Sequence, residues 1–154
     1  MSIRVIATRY AEALLQESLS QQTTETVEAD FGQIIEVLEA DLRMLFRSPV
    51  IKGWRKRKIV DEVFDGAISP LTMRFLDLLL DKGREGLFAD VAVEFRRLLD
   101  VHRKILRVKV ESATPLPSET RDRLQQRIST LTGGLNVEPE FGVDSDLLGG
   151  IRLT

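Results

Sequence analysis

The sequence predicts a mainly α protein: an N-terminal six-helix bundle over residues 1–105, followed by a small α/β domain over residues 106–154. Three observations predict it. Apolar residues recur at three-and-four spacing through most of the first hundred positions, as amphipathic helices require. The period then changes to two, with Leu106, Val108 and Val110 alternating with Arg107, Lys109 and Glu111 as in a half-buried strand. Between these regimes lies SPLTMRFLDLLLDKG, Ser69 to Gly83, which is apolar around most of its girth and therefore belongs at the centre of a bundle.

That central helix has both ends written into the sequence. Ser69 caps the free amides, Pro70 occupies the first helical position, and Gly83 supplies the left-handed residue that closes the helix. Leu71, Phe75, Leu78 and Leu79 share one face and Met73, Leu76 and Leu80 a second, with Arg74, Asp77 and Asp81 as a narrow polar edge. At ~1.5 Å per residue the helix is roughly 20 Å long, too short to span a bilayer. It is either wholly core, or a core helix with one side open to another protein's helix.

The remaining helices follow in order. Ile3–Leu19 carries Ile3, Ile6, Ala7, Tyr10, Ala13 and Leu14 on its main stripe, with Ala11, Leu15 and Leu19 as a thinner one. A second helix, with Thr24 as a cap, turns Val27, Phe31, Ile34, Ile35 and Leu38 inward. Its acids Glu25, Glu28, Asp30, Glu36 and Glu39 read as a solvated face. A short helix over 41–47 stops at Ser48-Pro49, because the residue before proline leaves helical geometry. Lys52–Phe64 opens with five bases and buries Ile59, Val60, Val63 and Phe64. Those bases read as solvated or paired with acids of a neighbouring helix, the second helix being one candidate. Glu85–Ile105 is long and amphipathic, with His102 on its stripe as a packed residue. In the second domain, Pro115 and Pro117 end the first strand, and a helix from Ser118 turns Leu124, Ile128 and Leu131 inward. After Gly133-Gly134, residues 135–141 alternate again. Val143–Thr154 reads as a turn, a glycine pair and a strand.

Composition excludes several functions. Net charge is −2, and the balance is even on both sides of residue 105: sixteen bases to seventeen acids before it, six to seven after. A nucleic-acid binder is strongly basic, and this chain is not. Trp54 stands in the basic run without a second aromatic, which suits a packing residue better than a base-stacking platform. With no cysteine there is no disulfide or thiolate chemistry. The N-terminus lacks the features of a signal peptide, and no stretch is apolar enough to cross a membrane. No phosphate-binding glycine motif, nucleophile triad, metal-ligand spacing or calcium loop is present; Asp144 and Asp146 read as turn residues. The expectation is a non-enzyme with no catalytic, cofactor or metal residues, whose helix surfaces serve protein partners.

Several stretches, in order, resemble one family. ATRYAEALL in the first helix, LFRSPVI at the proline break, FLDLLLDKGREGLF in the central helix and next turn, ESATPLP before the second domain, and VDSDLLGGIRLT near the end resemble the delta subunit family of bacterial F-type ATP synthases, which includes the mitochondrial oligomycin-sensitivity-conferring protein. The resemblance implies a six-helix bundle and a small α/β domain. It implies a non-catalytic stator role in ATP synthesis and hydrogen ion transport: tying the catalytic head to the peripheral stalk, as a peripheral subunit at the cytoplasmic face of the bacterial cell membrane. It implies as partners the N-terminal helix of an alpha subunit, held in a groove between the first and fifth helices, and the b subunit through the C-terminal domain. Membrane association would come only through the complex, with no nucleic acid. By position, the groove lies between Ile3–Leu19 and Pro70–Lys82, with Tyr10, Ala13, Leu14, Phe75, Leu78 and Leu79 as candidate contacts. Family members continue past the glycine-pair strand, so the second domain is expected to be truncated relative to the family. The alternative reading is a generic helical interaction scaffold.

Overall fold

The computed structural model describes residues 2–39 and 43–154. Its elements are α1 (Ile3–Ser20), α2 (Thr24–Val37), α3 (Arg43–Arg47), α4 (Gly53–Phe64), α5 (Pro70–Asp81), a 3-10 turn (Glu85–Leu87), α6 (Phe88–Arg103), β1 (Ile105–Ser112), α7 (Ser118–Leu131), β2 (Asn136–Val143) and β3 (Ile151–Leu153). The fold is mainly α with a small C-terminal α/β part, as the change of period predicts. The expected start of the third helix, Asp41–Leu42, lies outside the described residues. The chain divides into two compact units, Met1–Leu98 and Leu99–Thr154.

In the first unit, α2 packs against both α1 and α5. Its Phe31 meets three rings from two other helices: Phe75 of α5 at 6.0 Å, Phe88 at 4.9 Å and Phe95 at 5.2 Å, both of α6. Val27 and Ile34 of α2, Val60 and Phe64 of α4, Leu76 and Leu79 of α5, and Val91 of α6 are also buried. Helix α5 begins as its sequence dictates. Ser69 accepts a hydrogen bond from the Thr72 amide, Pro70 opens the helix, and Gly83 with φ +62° follows its end.

The faces of several helices differ from their sequence assignment. On α1 the buried residues are Ala7, Ala11, Leu14, Leu15 and Ser18. The core stripe is therefore rotated toward the thinner strip, and the small side chains at 7 and 11 let the helix approach closely. Ile3 is exposed and Tyr10 half-buried. Asp30, read as solvated, is buried at 5% exposure. Of the basic run, Lys56 is buried. Its Nζ donates to the Phe46 carbonyl and pairs with the carboxylate of Glu85, while Arg57 pairs with Asp77 and Asp81 of α5. Lys56 and Arg57 thus meet acids of the 3-10 turn and of α5. Val63 is exposed because α4 buries only the narrow line of Lys56, Val60 and Phe64. His102 is exposed, because α6 ends one residue later and the chain turns at Lys104 with φ +56°.

In the second unit, β1 is the central strand of the order β2-β1-β3. It pairs with β2 in parallel, with α7 as the crossover, and with β3 antiparallel. Val108, Val110, Ile128 and Val137 form the core, flanked by Leu106, Leu116, Leu124 and Phe141. Pro139 sits on β2, an edge strand, where its missing amide is tolerated. Leu131 is 79% exposed, because the last turn of α7 points away from that core. The expected turn is built by Asp144, whose side chain accepts the Asp146 amide at 3.0 Å and binds Arg152 Nη2 at 2.8 Å. Arg152 also binds Glu111 at 2.6 Å, so the turn and β3 are fastened to β1 by one guanidinium.

Truncating Phe31 removes the ring on which α2, α5 and α6 converge. Phe31→Ala is expected to cost about 3–5 kcal/mol in a denaturant melt of the intact chain, and a loss under 1 kcal/mol would show that these rings do not hold the bundle.

Candidate functional site

A furrow of about 210 Å³ runs between α1 and α5 in the first unit. It is lined by Tyr10, Ala13, Leu14 and Glu17 on one side and by Leu71, Arg74, Phe75 and Leu78 on the other. The furrow follows from two local sequence facts. Helix α1 turns its alanines 7 and 11 inward, which leaves Tyr10 and Ala13 on its flank. Helix α5 has more apolar residues than one packing face needs: Leu76 and Leu79 are fully buried, whereas Leu78 is 42% exposed.

Five of the six sequence candidates, Tyr10, Ala13, Leu14, Phe75 and Leu78, line this furrow. The sixth, Leu79, has no exposure and faces the core, one residue and about 100° around α5 from Leu78. Leu14 and Phe75 are themselves mostly buried and form the floor. Sequence reasoning missed Leu71 in the lining and the charged edge made by Glu17 and Arg74.

Polar contacts hold the walls. The Tyr10 ring stands edge-on to Phe75, with centroids 6.2 Å apart. Arg84, just beyond the end of α5, donates from Nη1 to the Tyr10 hydroxyl at 2.9 Å and lies 5.7 Å from its ring centre. Behind the furrow, Asp30 of α2 reaches the start of α5. Its Oδ2 accepts from the Ser69 amide at 2.9 Å, the Ser69 hydroxyl at 2.6 Å and the Thr72 hydroxyl at 2.6 Å. Glu94 of α6 reaches the start of α1, accepting from Arg4 Nε at 3.2 Å and from the Thr8 hydroxyl at 3.3 Å, and also binds Arg97 of its own helix at 2.9 Å. The hydrogen bond from Arg97, with the charges of Arg97 and Arg4 and the Thr8 bond, outweighs burial and holds the Glu94 carboxyl below its ordinary 4.5.

The sequence contained a signal for both missed carboxylates. Asp30 falls in the run 27, 30, 31, 34 and Glu94 in 91, 94, 95, 98, so each occupies a stripe position otherwise filled by apolar residues.

The furrow is apolar, has no reactive constellation, and suits one face of an amphipathic helix. The family described as the ATP synthase delta (OSCP) subunit matches residues 6–154. The chain belongs to that family. Its relatives include an ATP synthase subunit delta of Chlorobium phaeobacteroides, 37% identical over 99% of this chain and 86% of the relative. Another is the subunit delta of Salinibacter ruber, 35% identical over 98% of this chain and 80% of the relative. A chain in the cryo-EM structure of the Toxoplasma gondii mitochondrial ATP synthase hexamer shares the fold, with a TM-score of 0.73 and 18% identity over 96% of this chain and 83% of that one.

Two outcomes check the site. Leu78→Asp is expected to fold, since Leu78 already meets solvent, whereas Leu79→Asp is expected to abolish the cooperative melt by burying an unpaired charge. Equal melting of the two variants would refute the assignment of the two faces of α5. Because the Glu94 carboxyl titrates below its unfolded value, its stabilising contribution is present above the ordinary carboxylate range and is lost as pH falls through the depressed folded value. Glu94→Gln is therefore expected to be less stable than wild type at neutral pH, with the gap closing as the solution is acidified. A gap that stays constant with pH would contradict this.

Proposed function

We propose that this chain is a non-catalytic stator subunit of an F-type ATP synthase. It ties the catalytic head to the peripheral stalk at the cytoplasmic face of the bacterial membrane, and it meets the membrane only through the complex. In this reading residues 1–105 serve the head and residues 106–154 serve the stalk. The furrow between α1 and α5 receives the N-terminal helix of an alpha subunit, and the C-terminal part binds the b subunit. The observation that carries the reading is the open apolar furrow, with Leu78 half out of the core on a helix otherwise devoted to it. Family membership supports the rest.

The physical demand on such a subunit is affinity without chemistry. The head experiences torque from the rotating central stalk, and a static joint must hold against it. A helix laid in an apolar groove supplies this through a few anchors at helical spacing. Fully burying one leucine contributes ~1.5–3 kcal/mol, a tenfold or greater change in affinity.

The intact chain should bind a synthetic peptide of the alpha N-terminal helix, and Leu78→Asp should weaken that binding by well over tenfold. Binding should change little between low and moderate salt, unlike phosphate recognition, which falls steeply. Capture from a cell extract should recover alpha and b subunits together. Normal peptide binding by both Leu78→Asp and Ala13→Trp would overturn the furrow as the site.

A further inference from the structure

The two walls of the furrow are each held from behind by a buried carboxylate of a third helix. Asp30 grips α5 at its first turn through three donors on one oxygen. Glu94 meets α1 at its first two turns through Arg4 Nε at 3.2 Å and through the Thr8 hydroxyl at 3.3 Å, a hydroxyl shared with the Arg4 carbonyl at 2.9 Å. Both are buried, Asp30 at 5% exposure and Glu94 at 6%. Neither lines the furrow. From the Asp30 anchor, Leu71, Phe75 and Leu78 follow along α5; from the Glu94 anchor, Tyr10, Ala13 and Leu14 follow along α1.

Apolar packing alone does not fix these walls. The hydrophobic driving force is non-directional and scales with area buried, so by itself it does not select one start and rotation for a helix with two apolar faces. Hydrogen bonds weaken steeply with misalignment, so a carboxylate that accepts several at once fixes where a helix starts and how it is rotated. The Asp30 charge also faces the positive end of the α5 dipole, which strengthens that grip. We infer that Asp30 and Glu94 are positioning residues for partner binding: by fixing the start and rotation of α5 and α1, they set the width of the furrow and the facing of its walls. The inference rests on the proposed furrow site and names what preorganises it.

The test compares affinity with stability. The probe is the synthetic alpha N-terminal helix peptide, titrated into the intact chain at a temperature where circular dichroism shows each variant folded. Asp30→Ala and Glu94→Ala are expected to raise Kd at least tenfold. Val60→Ala is the control: Val60 is fully buried on α4 and lines no part of the furrow. It should lower the Tm and leave Kd within twofold of wild type. Asp30→Asn, whose amide oxygen still accepts from Ser69 or Thr72, should fall between wild type and Asp30→Ala. If the alanine variants do not fold, Asp30→Asn and Glu94→Gln decide, with an expected three- to tenfold loss. Wild-type affinity in folded Asp30 and Glu94 variants, with only the Tm lowered, would overturn the inference and leave the furrow reading standing. No peptide binding by wild type would overturn both.

Discussion

The helical unit depends on what α2 presents at two adjacent positions. Phe31 puts one ring among three others, joining α2, α5 and α6. Asp30, next to it, takes the first turn of α5. The ring supplies the apolar area that drives association, and the carboxylate supplies the direction that apolar area lacks. Because the two side chains leave the same turn of one helix, the depth of α5 in the core and its rotation are settled together. That rotation decides which of its many leucines are left outside.

The consequence for function is a division of α5 into two faces by very small angular differences. Leu78 and Leu79 are neighbours of identical chemistry, yet one is 42% exposed and the other not at all. With Tyr10 and Ala13 across from it, Leu78 leaves a contiguous strip of apolar surface open to water. Here that surface is narrow and edged by Glu17 and Arg74.

Buried charge recurs through the unit with a common logic. Asp30, Glu94 and Lys56 each sit at a position of an apolar stripe, and each meets complementary groups from another part of the chain: Ser69 and Thr72, Arg4 and Thr8, and Glu85 with the Phe46 carbonyl. Removing one partner from such an arrangement leaves an uncompensated charge in low dielectric, which is strongly destabilising. In the second unit Arg152 does similar work at the surface. It joins the aspartate turn and the last strand to Glu111 of β1, and holds a three-residue strand whose Ile151 and Leu153 stay exposed and bury little apolar area.

The sequence by itself determined the elements and the family. The capped, glycine-closed α5, the proline break after α3, the change from period 3.6 to period 2, and the order of motifs from ATRYAEALL to VDSDLLGGIRLT are all local signals, and local signals survive without knowledge of neighbours. It also placed Tyr10, Ala13, Leu14, Phe75 and Leu78 on the two helices that flank the furrow. Only the tertiary structure decided that Leu79 faces inward, that α1 buries Ala11 and Leu15 in preference to Ile3 and Tyr10, that Asp30 is buried and not solvated, and that Glu94 is buried against Arg4 and Thr8. Periodicity tells which residues share a face but not which face meets the core when a helix has two apolar ones. A charge on an apolar stripe is legible as a charge, whereas its partners lie 39 or 86 positions away in the chain and come together only when the bundle closes.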